Sequence, residues 1–472
     1  MATGDERRDR DARPADSRSR AEHFFIADRD VGWLAGSASL AATQMSAGTL
    51  VGTIGIHYAV GVGFAAIWPG IWLGWLISML YIAPQLRAFG GVTVPEYLAT
   101  RFDGDGADGS RTRAIVASLI ALIYTVYTAA QYIAGGVILE TTLSIPRLWG
   151  MVALVVVVLA YTTVGGMRAS IASDGAQVLL MLAGLLLAAA VGLQRVGGPA
   201  PLVREARALD PSLLGMGMPV ADIAGFALAF GLGVIVAPYE VSRVYAMESP
   251  ETVRSAIRGS IAIQAVVAVC VVVLGLLARV TYPALSTPDA AIATLAESFF
   301  GPIVGGILLL AVLAAILSTV DSIVLVSSSA LAYDLYVALL RPVGGIDGFE
   351  DDALAVSRLT TVLVTVVPLA LAVRPAMLGG LIQLIVALYS ALIAGALLVP
   401  VVLGLHWKRA TTPAAIAGVL VGTAVVAGWH LLTDATATLG PPVSVLPPVV
   451  VGVGASALVV VAGSLRSPTD AG

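Results

Sequence analysis

Residues 314 to 322 read AAILSTVDS, and four of them are polar: Ser318, Thr319, Asp321 and Ser322. Two adjacent hydroxyls with a carboxylate nearby offer hard oxygen ligands, the kind that cations such as calcium and magnesium take. Ser318 and Thr319 would lie about 100° apart on a helix, and Asp321 would share the face of Ser318. The stretch sits inside a long apolar run, GPIVGGILLLAVLAAILSTVDSIVLVSSSALAYDLY. Polar groups in hydrocarbon are costly unless partnered, and a carboxylate there is a functional-site hypothesis by default. A single hydroxyl could instead bond back to its own i−4 carbonyl, so the surrounding elements decide what the group holds.

Those elements are membrane helices. The 472-residue chain is 58% hydrophobic and 12% charged, whereas soluble domains are about 25% charged. Its apolar residues gather in blocks of about 20, long enough to cross ~30 Å of hydrocarbon as helices. Twelve spans are expected, at roughly 32–57, 62–85, 113–138, 147–164, 174–196, 222–238, 257–280, 301–328, 357–373, 377–403, 411–432 and 443–464. With the N-terminus inside, the outer loops hold only Arg147, Arg195, Arg204, Arg207, Arg279 and Arg374 of the basic residues. The positive-inside rule therefore places both termini in the cytoplasm of a multi-pass cell-membrane protein. Residues 1–30 mix both charge signs without an apolar core, which excludes a signal peptide and reads as a disordered cytoplasmic tail.

Other chemistries find little support. The single cysteine, Cys270, precludes internal disulfides and cysteine-rich zinc sites. The four histidines lack metal-site spacing. DGDGADG at 103–109 departs from a calcium loop at its sixth and twelfth places, Asp108 and Ala114. No phosphate-binding glycine-lysine loop indicates ATP, and no basic stripe indicates nucleic acid.

Two spans look broken. The first carries GSASLAATQMSAGTLVGTIG, and the sixth carries FGLGVIVAP, ending at Pro238. Interrupted helices free backbone carbonyls at membrane depth, where they are tolerated only beside a cavity or an ion. The two open successive sets of five spans, and paired interruptions in two halves point to a transporter built from inverted repeats. The expected fold is therefore all-α: a first five-helix repeat over 31–200, a second inverted one over 218–405, and two peripheral helices with a short tail over 406–472.

Several motifs occur in order: FFIADRDVGWL, TVPEYLATRF (93–102), YTTVGGMRASIASDGAQ (161–177), APYEVSRVYAM (237–247), LSTVDSIVLVSSSALAYDLY (317–336) and HWKRATTPAAIAG (406–418). Together they resemble the sodium:solute symporter family over roughly residues 23 to 425. Bacterial members usually begin with an extra helix before this core, and here a charged tail stands in its place. The resemblance implies a sodium ion between the broken first helix and the eighth. Its ligands would be carbonyls of Ala42, Met45 and Ala315 with the hydroxyls of Ser318 and Thr319. Asp174 matches an aspartate on the ion's inward path, although Ser173 and Asp174 are equally good helix N-cap types. Asp321 would polarise a hydroxyl or pair within the bundle, and Glu240 with Arg243 would make a structural i,i+3 pair.

The solute should bind beside the ion at the midplane, near Thr43, Gln44, Tyr127, Gln131, Phe230 and Val234. Tyr127 matches a tyrosine of the proline carriers. Gln44 stands for an aspartate, Phe230 for a tryptophan and Val234 for another aromatic residue. The expected function is sodium-coupled uptake of a small organic solute, an amino acid such as proline or a small organic acid or vitamin. The protein would be no enzyme and use no organic cofactor. A proton-coupled carrier using Asp321 or Asp174 is the rival within the class. A solute-sensing module is the rival outside it, disfavoured because no output domain follows Leu465.

Overall fold

The computed structural model describes residues 27–104, 110–336, 349–374, 381–436 and 446–466. Positions 1–26 of the expected disordered tail over 1–30, and the loop positions 105–109, lie outside the described residues. Among these residues every regular element is a helix. Nine helical stretches are long and apolar enough to cross a membrane, and two shorter apolar helices, Arg147–Ala160 and Arg358–Ala372, coincide with further expected spans. One of the nine, Gly48–Phe89, has 42 residues. A straight helix of that length would be ~63 Å long, about twice the hydrocarbon thickness. It reverses at Gly61, whose φ of 81° only glycine adopts without strain. Two expected spans thus share that stretch.

The first helix, α1 (Trp33–Gln44), stops at Met45, which takes an extended conformation with ψ 93°. A wide helical turn, Gly48–Gly52, then leads into α2 (Thr53–Val60). After Gly61 the chain forms α3 (Ile67–Ile77) and α4 (Ala83–Phe89). The motif TVPE starts α5 (Val94–Asp103). There Thr93 Oγ1 accepts from Glu96 N, and Glu96 Oε2 accepts from Val92 N at 2.7 Å. That reciprocal pairing satisfies donors which a helix start otherwise leaves open.

Helix α6 (Arg111–Leu143) crosses next, capped by Ser110. Helix α7 (Arg147–Arg195) covers two expected spans and kinks at Gly166, where φ is 57°. A short amphipathic helix, α8 (Pro199–Leu209), closes the first half. The second broken helix comprises α9 (Val220–Val236) and α10 (Pro238–Ala246), separated at Ala237 with ψ 118°. Proline disfavours helical geometry in the residue before it, so Pro238 fixes where this break falls. Then follow α11 (Pro250–Thr281), a short helical connection over 288–299, and α12 (Pro302–Ser329). The remaining helices are α13 (Phe349–Ala372), α14 (Ile382–Ile393) continuing into α15 (Val399–His406), α16 (Thr412–Thr436) and α17 (Pro448–Arg466).

Helix α1 packs on α7 and α11, and α12 packs on α7, while α16 and α17 pack chiefly on each other at one side. The end of the charged tail is not free. Val31 bridges Met247, and exposed Arg168 pairs with Asp30 at 2.8 Å. These contacts hold the entry to α1 against the C-terminal end of α10 and against α7.

Candidate functional site

A helix interrupted inside a bundle exposes amide hydrogens that need acceptors. Both breaks find theirs on α6. Gln131 Oε1 accepts from Ala47 N at 2.9 Å, and the Tyr124 hydroxyl accepts from Tyr239 N at 2.9 Å. The two side chains stand two turns apart on one helix, which thus braces both interruptions. Gln131, expected near the solute, has its oxygen committed to this brace, although its Nε2 has no partner among the described residues.

The Ser318–Thr319 pair lies beside the first break. Ser318 Oγ lies 3.0 Å from Ala42 O and 3.0 Å from Ala315 O. Thr319 Oγ1 lies 3.0 Å from Ala315 O, 3.2 Å from Thr43 O and 3.5 Å from Met45 O. All five expected oxygens converge, and the Thr43 carbonyl joins them. Both hydroxyls are buried, at 1% and 0% exposure. Two hydroxyl protons face four carbonyl oxygens, so the cluster is rich in acceptors and short of positive charge. A hard cation relieves that imbalance, and neutral oxygens hold a monovalent ion weakly enough to release it.

Beside this cluster lies a second polar group. Asp174 Oδ2 accepts from Ser39 Oγ at 2.6 Å and stands 3.5 Å from Arg243 Nη2. Arg243 also donates to Ser170 Oγ at 2.8 Å and to Ser322 Oγ. Ser322 in turn meets Thr43 Oγ1 at 3.2 Å. Asp321 Oδ1 accepts from Thr162 Oγ1 at 2.9 Å. Two expectations are corrected here. Asp174 is no N-cap, because α7 runs through it without a break and its carboxylate faces α1 and α10 instead. Glu240 and Arg243 do not form an ion pair, because the guanidinium turns to Asp174 and to Ser170, Ser242 and Ser322.

On the other side of the breaks, four tyrosines gather. Tyr127 and Tyr389 stack at 4.0 Å with 7° between their planes, and Tyr239 and Tyr124 lie against them. Gln44 joins this group, since its Oε1 accepts from the Tyr239 hydroxyl at 3.3 Å. Of the expected solute positions, Tyr127 and Gln44 meet here. Thr43 points to α12, and Phe230 stacks on Phe226 in a separate group with Phe64. Val234 is buried on α9 beyond Phe230. Sequence reasoning missed Tyr124, Tyr239 and Tyr389. Tyr239 carried a signal, since it directly follows the proline that breaks the sixth span.

In the connection between two spanning helices, Asp289 accepts from Ile382 N at 3.2 Å and ties the 288–299 segment to the start of α14. Burial pushes its carboxyl up to about 6, against the opposing hydrogen bond from Ile382.

A helical bundle interrupted at two matched places, with an acceptor-rich cluster at one of them, defines a secondary transporter. The sodium:solute symporter family matches residues 24–422, and the chain belongs to that family. It is 31% identical over 419 residues to the high-affinity proline transporter PutP of Bacillus subtilis, covering 86% of each chain. It is 28% identical over 420 residues to a sodium/proline symporter of Staphylococcus aureus, covering 86% of this chain and 80% of that one. Among solved structures it is similar to a Na+-coupled sialic acid symporter, with TM-score 0.75, 17% identity, and 95% and 92% coverage. A nucleobase-cation-symport-1 family transporter follows at TM-score 0.61 and 16% identity, covering 94% of both chains. The fold is an inverted-repeat transporter core with two C-terminal helices. The protein is a sodium-coupled solute carrier of the membrane, not an enzyme.

Proposed function

We propose that this chain takes up a small zwitterionic amino acid of the proline class. A sodium ion travels with it, held by the carbonyls of Ala42, Met45 and Ala315 and the hydroxyls of Ser318 and Thr319. The observation that carries this reading is the convergence of those five oxygens between α1 and α12. The proline relatives support the solute class, and the tyrosine group beside the ion offers apolar faces for a pyrrolidine-sized ring. Sodium here is cargo, and no organic cofactor, nucleic acid or ATP enters the cycle.

Physical coupling follows from geometry. The ion binds between a half-helix and α12, so it draws together the element that carries Gln44 and the element that carries Ser318. Inward sodium flow contributes ~2.3 kcal/mol per 100 mV of inside-negative potential. Asp174 and Arg243 close the inner side beneath the ion, and their separation would open its way to the cytoplasm. The two repeats, 31–200 and 218–405, move against each other around the site.

The test is uptake of radiolabelled L-proline into proteoliposomes. Uptake should require an inward sodium gradient, rise with a negative internal potential, and vanish when potassium replaces sodium. Uptake driven equally by a proton gradient without sodium would refute the coupling. Both termini face the cytoplasm in this reading. Cysteines at Ser17 and Ser467, in a Cys270→Ala background, should then resist impermeant maleimides in intact cells. Labelling of either from outside would overturn the orientation.

A further inference from the structure

Glu240 follows Tyr239 in the first turn of α10 and is 2% exposed. Neither of its carboxylate oxygens has a hydrogen-bond partner among the described residues. Its neighbour Arg243 is occupied elsewhere, by Asp174, Ser170 and Ser322. Two further buried carboxylates share this region: Asp174 stands 3.5 Å from the same guanidinium, and Asp321, 2% exposed, accepts from Thr162. Buried carboxylates are costly without a counter-charge, so the group lacks positive charge. The sodium ion beside Thr319 supplies one. Another is still missing, and it is missing at Glu240.

Tyr239, the residue before Glu240, packs against Tyr124, Tyr127 and Tyr389. These rings form a group whose centroids lie 4.0–6.2 Å apart. Tyrosine faces attract cations through the ring quadrupole, most strongly in desolvated sites. A buried carboxylate without a hydrogen-bond partner, one residue along the chain from a tyrosine group, is complementary to an alkylated or protonated amine. An inorganic ion would gain from the carboxylate but leave the apolar faces unused.

We infer that Glu240, with the tyrosine group, receives the cationic nitrogen of the solute. The carrier then selects ammonium-bearing zwitterions over organic acids of the same shape. This inference rests on the uptake reading above and deepens it. Glu240 contacts the solute directly.

The experiment uses the purified full-length protein in sodium buffer and two isosteric pairs of probes. L-Proline is compared with tetrahydrofuran-2-carboxylate, and glycine betaine with 3,3-dimethylbutanoate. Each pair differs by the charged nitrogen. In the parent, at least one charged probe should bind at least about thirtyfold more tightly than its isostere, the scale of a buried charge pair. Glu240→Gln should lose that preference while sodium still raises the melting temperature. Glu240→Asp, which keeps the charge but withdraws it by one methylene, should keep the preference at reduced affinity. Equal binding of both members of both pairs by the parent would overturn the inference. So would an undiminished preference in Glu240→Gln, or parent affinity in Glu240→Asp should the glutamine variant fail to fold. Absence of any sodium effect on the parent would instead overturn the transport reading.

Discussion

Substituting Ser318 by alanine removes one oxygen atom from a site that has few. The side chain is buried and its Oγ is shared between Ala42 O and Ala315 O, each at 3.0 Å. No large volume is lost, so the helix packing should stand. What changes is the ligand set, reduced from five oxygens to four. A lost partner to a buried polar group costs ~1–3 kcal/mol, and a cation deprived of a direct ligand should lose at least as much. The sodium concentration for half-maximal uptake should therefore rise by about 5- to 150-fold. Thr319→Ala should lie at the upper end, because its Oγ1 reaches three carbonyls where Ser318 Oγ reaches two. Thr319→Ser keeps the oxygen and should recover most of the loss. Ser329→Ala, whose hydroxyl returns only to Val326 O on its own helix, is the control. The assay is uptake at saturating solute against sodium concentration, paired with sodium-induced thermal stabilisation. Solute affinity should recover at high sodium, because the two binding events are linked. Unchanged sodium dependence in both alanine variants would refute the ligand assignment and leave the hydroxyls as packing contacts.

Tyr127→Ala should raise the KM for L-proline about tenfold or more, since an apolar pocket contact is worth ~1–3 kcal/mol, with sodium-induced stabilisation retained. An unchanged KM would return Tyr127 to a packing role. Arg243→Ala leaves the Asp174 carboxylate buried without its cation and should cost ~3–5 kcal/mol, read as a large fall in melting temperature. Arg243→Lys should recover part of it, and a melting temperature equal to the parent in the alanine variant would contradict the ion pair. Asp289 holds its proton more tightly in the folded protein, at about 6 against 3.8 when solvated. Its proton-linked stabilisation is therefore complete below about 4 and is lost as pH rises through about 6. The melting temperature of the parent should fall over that window relative to Asp289→Asn, and parallel profiles would exclude the residue as the source.

Local chemistry fixed much of this protein. Hydropathy alone marks the spans, because length and apolar composition decide what can cross a membrane. Pro238 fixes the second break, because proline constrains the backbone of its neighbour wherever it occurs. The motifs placed Ser318 and Thr319 opposite Ala42 and Met45, and the folded chain brings them together. Facing was not legible. Lipid is as apolar as the core, so these helices are hydrophobic all round and carry no stripe that says which side turns inward. Hence the stacking of Tyr127 on Tyr389, the departure of Phe230 to Phe226, and the use of Gln131 as a brace for Ala47 emerge only from the assembled bundle. The same holds for Arg243. Its i,i+3 spacing suggested Glu240, but a buried guanidinium goes where several acceptors satisfy its fork at once. Asp174, Ser170 and Ser322 come from two other helices that meet it only in three dimensions.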